Sequence, residues 1–91
     1  MNIPHQVQQA IITFLATRFK AAALDNTQFS VNVEGDESKP FYIAWIKRST
    51  EQLDPETGRL ATFLTWAKFS YMDNQLTLLT SSWELTMLLR N

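Results

Sequence analysis

The segment Gln28-Phe29-Ser30-Val31-Asn32-Val33-Glu34, followed by Gly35-Asp36-Glu37-Ser38-Lys39-Pro40, decides the fold. Its apolar residues fall at every second position, with Phe29, Val31 and Val33 against Gln28, Ser30, Asn32 and Glu34. That is the period of a strand with one face buried and the other in water. The run from Gly35 to Pro40 supplies turn formers. Beyond it the period of two persists: Phe41 to about Leu53 predicts a second strand and Arg59 to Tyr71 a third. Between them stands Asp54-Pro55-Glu56-Thr57-Gly58, a turn with Pro preset for its first corner and Gly for a positive φ. Asp73-Asn74 then turns the chain into a fourth strand, Gln75 to Thr80. The pattern is an antiparallel meander of hairpins.

Register is testable within the sequence, because a slip of one residue would turn every side chain of a strand to the wrong face. Folding about residues 54–58 sets Ile46 opposite Ala67, Ala44 opposite Phe69 and Tyr42 opposite Tyr71. Folding about residues 35–40 sets Phe29, Val31 and Val33 opposite Ile46, Ala44 and Tyr42, and the last hairpin sets Leu76 and Leu78 opposite Tyr71 and Phe69. The three hairpins agree on one apolar face made of Phe29, Val31, Val33, Tyr42, Ala44, Ile46, Phe63, Ala67, Phe69, Leu76 and Leu78.

Upstream of the meander the period is helical. Residues 4–24 open with Pro4, whose fixed φ and missing N–H suit a first helical position, and no further Gly or Pro occurs before Gly35. At 100° per residue, Val7, Ala10, Ile11, Ile12, Phe14, Leu15, Phe19, Ala21 and Ala22 cover a very wide arc, leaving Gln6, Gln9, Thr13, Thr17 and Lys20 a narrow polar strip. So wide an arc predicts cover from a curled sheet, a flanking element or a partner. The C-terminal SSWELTMLLRN supports two readings. Trp83, Leu85, Met87 and Leu89 alternate as in a fifth strand, whereas Ser81 with Glu84 forms a capping box for a short helix. The alternation favours the strand. The expected fold class is therefore α+β: a helix packed across a curled antiparallel β-meander of four to five strands, as one domain over 1–91, with 82–90 a strand or, alternatively, a short helix.

Composition bounds function by exclusion. The chain has 91 residues, 45% hydrophobic and 19% charged, a formal net charge of -1 and no Cys. This is too apolar for a disordered tail, and it lacks the global positive field of a nucleic-acid or anionic-membrane binder. Without Cys there are no disulfides or thiolate metal sites, and His5 is the single histidine, so neither metal nor cofactor is expected. The start MNIPHQVQQ has neither a basic leader nor a long apolar run, so no membrane segment and a cytoplasmic location are expected. Asp54 and Glu56 read as turn residues, Glu34, Asp36 and Glu37 lack the spacing of a calcium loop, and Ser81-Ser82 has no base beside it. Gly35 and Gly58 each stand alone, so no phosphate loop is present. The expectation is not an enzyme.

One surface stands out. The register that buries the core face projects Phe41, Ile43, Trp45 and Lys47 from the second strand, and Leu64, Trp66 and Lys68 from the third, to the opposite side, with Leu79 at its edge. It sets Trp45 opposite Lys68 and Lys47 opposite Trp66, a checkerboard of indoles and ammonium groups about 5 Å apart. Exposed tryptophans on a sheet mark interaction surfaces, and Trp dominates interface energetics. These eight residues form the candidate site of a non-catalytic protein-binding or regulatory module, whose partner is another protein or, in a homodimer, a second copy. Two alternatives use other chemistry. Single-stranded nucleic acid could stack on the same aromatics, although only Lys47, Arg48 and Lys68 lie nearby. A small apolar ligand could lodge between helix and sheet near Tyr42 and Tyr71. A plainer reading has the chain's own turns or terminal segment covering this face.

Overall fold

The computed structural model describes residues 3–22, 28–35, 38–53 and 60–89, with side chains throughout except at 50–53, 60–63 and 88–89. The elements are α1 (His5–Ala21), β1 (Gln28–Gly35), β2 (Phe41–Leu53), β3 (Leu60–Met72), β4 (Gln75–Ser81) and α2 (Trp83–Leu89). The strands form one open antiparallel sheet in the order β1-β2-β3-β4. Both helices lie on the same side of it. Val7, Ile11, Leu15 and Phe19 of α1 and Leu85 of α2 form one core with Tyr42, Ala44, Ile46, Ala67 and Phe69, and Phe29, Val31, Val33, Leu76 and Leu78 pack around its margin. The α+β helix-on-meander architecture expected from the sequence is present. The Asp54–Gly58 turn and the Phe63 side chain lie outside the described residues.

Helix α1 begins one residue later than its Pro suggested. Pro4 is the capping residue, and its carbonyl accepts from the Val7 and Gln8 amides at 3.1 and 3.3 Å. The wide apolar arc is only partly used. Complete burial falls to residues spaced by four, Val7, Ile11, Leu15 and Phe19, while Ile12 stays 36% exposed. Edge-to-face ring contacts join helix and sheet, Phe14 to Phe69 at 5.5 Å and Phe19 to Phe29 at 5.1 Å between centroids. Flanking cover comes from α2, which brings Leu85 into the same core.

The C-terminal segment is a helix, which corrects the favoured strand at 82–90 and limits the sheet to four strands. Hydroxyl chemistry decides it, one residue later than the predicted box. Ser82, not Ser81, is the cap, its Oγ accepting from the Leu85 amide at 3.3 Å while its carbonyl accepts from the Thr86 amide at 2.9 Å. The Ser82 hydroxyl also bonds that of Thr65 on β3. Ser81 Oγ lies 2.5 Å from Thr86 Oγ1, which also donates to the Ser82 carbonyl at 2.9 Å. Glu84 in the first turn faces the positive end of the helix dipole.

Strand faces agree with expectation, but two of the three registers differ. Val31 pairs with Ile46 and Val33 with Ala44, while Ala44 pairs with Ala67 and Tyr42 with Phe69, each two residues away from the predicted partner. For β2 and β3 the cause is local. The predicted register holds at Leu53–Leu60, but by Ser49–Thr62 β2 has used two residues more than β3. An even insertion changes the partners and keeps the faces. In the first hairpin β1 runs on through Gly35, which pairs with Tyr42 and moves the turn toward Pro40. A Cβ at Gly35 would lie 2.4 Å from Tyr42 Cδ1, so the missing side chain is what lets the tyrosine ring cross the strand there. The β3–β4 register is the predicted one, Phe69–Leu78 and Tyr71–Leu76. Asp73 and Asn74 both have positive φ, 53° and 61°, the two-residue turn that suits a right-twisted hairpin.

Candidate protein-binding face

The side of the sheet away from the helices is built of level rungs, one residue from each strand. Glu34, Ile43, Lys68 and Thr80 form one rung. Asn32, Trp45 and Trp66 form the next, and Ser30, Lys47 and Leu64 the third. Below the first lie Phe41, Ser70 and Thr77. Leu79 is the extra residue of a bulge in β4, between the Phe69–Leu78 and Lys68–Thr80 pairs. All eight predicted site residues thus belong to this side of the sheet. Phe41, Trp45, Leu64 and Leu79 are 45, 38, 70 and 46% exposed, and Ile43, Trp66 and Lys68 are half-buried among them.

The predicted checkerboard is corrected. The two residues that β2 gains move Trp45 opposite Trp66, Lys47 opposite Leu64 and Lys68 opposite Ile43. Trp45 and Trp66 are therefore cross-strand neighbours at the centre of the face instead of alternating with lysines. Lys68 turns to an aromatic on the diagonal, with Nζ 5.5 Å from the centroid of Phe41. Arg48, grouped with the lysines by sequence proximity, sits on the opposite face. It is 7% exposed in the core layer, and its Cζ lies 5.7 Å from the Phe19 ring centroid. Burial lowers its pKa, and the nearby Glu84 carboxylate opposes that shift. The outer face therefore carries Lys47, Lys68 and Glu34 as its charges among the described residues.

A depression of about 330 Å³ opens at one end of the face, lined by Glu34, Gly35, Phe41, Tyr42 and Ile43. Tyr42 itself is 7% exposed and belongs to the core. His5 stands exposed at the first turn of α1. Ser81 and Ser82 are engaged with Thr86, Thr65 and the start of α2. Asp36, Glu37, Asp54 and Glu56 lie outside the described residues. Among the described residues no three His, Asp or Glu side chains gather where they could hold a metal ion, and no helix is long and apolar enough to cross a membrane.

Comparison with known proteins finds no family model, no curated protein and no solved structure that matches the chain. The groups on the face supply apolar contact area, indole N–H donors and positive charge. Two features escaped the sequence reading. The Trp45–Trp66 adjacency depended on a strand irregularity with no compositional mark. On α2, Trp83 and Met87 are 77 and 48% exposed and four residues apart, a spacing that becomes one helix face once the segment is known to be helical.

Proposed function

We propose that the chain is a non-catalytic protein-binding module that docks through the outer face of its sheet. The observation that carries this reading is the Trp45–Trp66 rung, two tryptophans paired across neighbouring strands at the middle of a sheet face that neither α1 nor α2 covers. Exposed Phe41, Leu64 and Leu79 surround it. Large aromatics at the centre with cations beside them is the arrangement of an interface core and its rim. Single-stranded nucleic acid is less well supported, because Arg48 belongs to the core layer and Lys68 already faces Phe41. That leaves few cations for phosphate contacts.

The test is a photo-crosslinking amino acid placed at Leu64, which is 70% exposed, in the otherwise intact chain and in cells that express it. The expected product is a covalent adduct with a protein, identified by mass spectrometry and lost when Trp45→Ala and Trp66→Ala are added. Adducts with RNA or DNA alone, or protein adducts that persist in the double variant, would overturn the reading.

A further inference from the structure

Resting on that docking face, we infer that its occupant is a second copy of this chain, joined sheet to sheet about a twofold axis that crosses the strands at the Trp45–Trp66 rung. Three observations lead there: layer geometry, area and charge.

A sheet with an apolar face needs another layer to bury it, and here the helices supply that layer on one side only. The outer side is a run of level antiparallel rungs, a surface that another sheet fits at about 10 Å separation with strands about 30° apart. The second copy would complete a helix–sheet–sheet–helix sandwich. Area permits it. Strands of 8, 13, 13 and 7 residues, at about 3.3 Å per residue and 4.8 Å apart, span roughly 650 Å² of flat sheet before side-chain relief is added, close to the roughly 800 Å² per partner that a standard interface buries.

Charge fixes the orientation. The outer face carries both signs, and they lie on different rungs: Glu34 with Ile43 and Lys68, Lys47 with Ser30 and Leu64, on either side of the tryptophan rung. A twofold axis across the strands at that central rung exchanges its two neighbours. Trp45 and Trp66 then meet the same pair from the other copy. Lys47 of each copy comes down over Ile43 of the other, between Glu34 and Lys68 on the flanking strands at a spacing of about 4.8 Å; the Lys68 ammonium is drawn a rung away to Phe41, so Glu34 is the charge Lys47 meets. Leu64 comes down on the aliphatic stem of Lys68, whose ammonium is already held over Phe41. Each contact off the axis occurs twice by symmetry, as a self-complementary interface requires. A twofold axis parallel to the strands would instead place Lys47 over Leu64, one strand from the Lys47 of the other copy, and Glu34 over Thr80, one strand from a Lys68 whose ammonium turns away to Phe41; the two lysines would then be the closest charges.

The experiment is sedimentation velocity on the full chain across a concentration series. Dimerisation predicts a mass approaching twice 10.5 kDa for the wild type and a monomer for Trp45→Ala with Trp66→Ala. Because loss of two indoles also removes packing within the sheet, the orientation is tested with exposed charges. Lys47→Glu and Glu34→Lys should each weaken the dimer about tenfold, and the two together should restore it to within about twofold. A wild type that stays monomeric to about 1 mM would overturn self-association while leaving the docking reading to the Leu64 crosslink. A dimer that persists in the tryptophan variant would place the interface elsewhere. Failure of the reciprocal swap to restore affinity would overturn the twofold arrangement.

Discussion

Two residues that look incidental in sequence control where others lie. Gly35 occupies a strand position, and the Tyr42 ring passes so close that a methyl group there would meet Cδ1 at 2.4 Å and the Phe41 carbonyl oxygen at 3.2 Å. Gly35→Ala should therefore destabilise the protein by about 1–3 kcal/mol, the range for overpacking, measured by urea unfolding. In a Tyr42→Leu background the same substitution should cost less than half as much, because the ring that blocks the methyl is gone. Arg48 is the second. Strand parity places it on the inner face, yet nearness to Lys47 in sequence groups it with the outer cations. Parity is the stronger physical guide, since successive side chains in a strand must point to opposite faces. The face was legible residue by residue for that reason. The partner of each residue was not, because pairing depends on how many residues each strand spends between two rungs.

At the scale of elements, what the sequence revealed depended on how tightly a connection constrains its strands. The Asp73-Asn74 turn is two residues long with both φ positive, and such a turn admits one register, so β3 and β4 pair as read. Glycine takes φ of 61° without the strain an asparagine carries, and Asn74→Gly should raise stability by about 0.5 kcal/mol, seen as a higher urea midpoint at unchanged slope. The longer connections left register open by two residues, which moves pairs without moving faces. Helix α2 was ambiguous for a different reason. Its alternation of apolar residues is genuine, but among its described side chains the buried one is Leu85, while Trp83 and Met87 are exposed. Hydroxyl bonding outweighs the alternation, with Ser82 capping the helix and bonding Thr65, which is 4% exposed. Ser82→Ala removes both contacts and should lower stability by about 1–2 kcal/mol in thermal unfolding. Ser82→Asn, which can cap, should recover part of it.

For the whole molecule, the asymmetry between the two faces of the sheet is the dominant fact. One face holds the core under α1 and α2; the other carries Trp45, Trp66 and their apolar neighbours, which neither helix covers. If a second copy binds there, folding and association are linked, and stability becomes a function of concentration because only folded chains pair. A hundredfold increase in wild-type concentration should then raise Tm by on the order of 5 to 10 °C for a domain of this size, followed by circular dichroism. The Trp45→Ala and Trp66→Ala variant should unfold at a Tm independent of concentration and close to that of the dilute wild type. Phe69→Ala, on the other face, should lower Tm at every concentration, because Phe69 is fully buried beneath the helices and its loss costs about 3–5 kcal/mol. On the proposed dimer the contrast separates the two faces by what each would bury: Phe69 its own chain's helices, Trp45 and Trp66 a second copy that arrives by mass action.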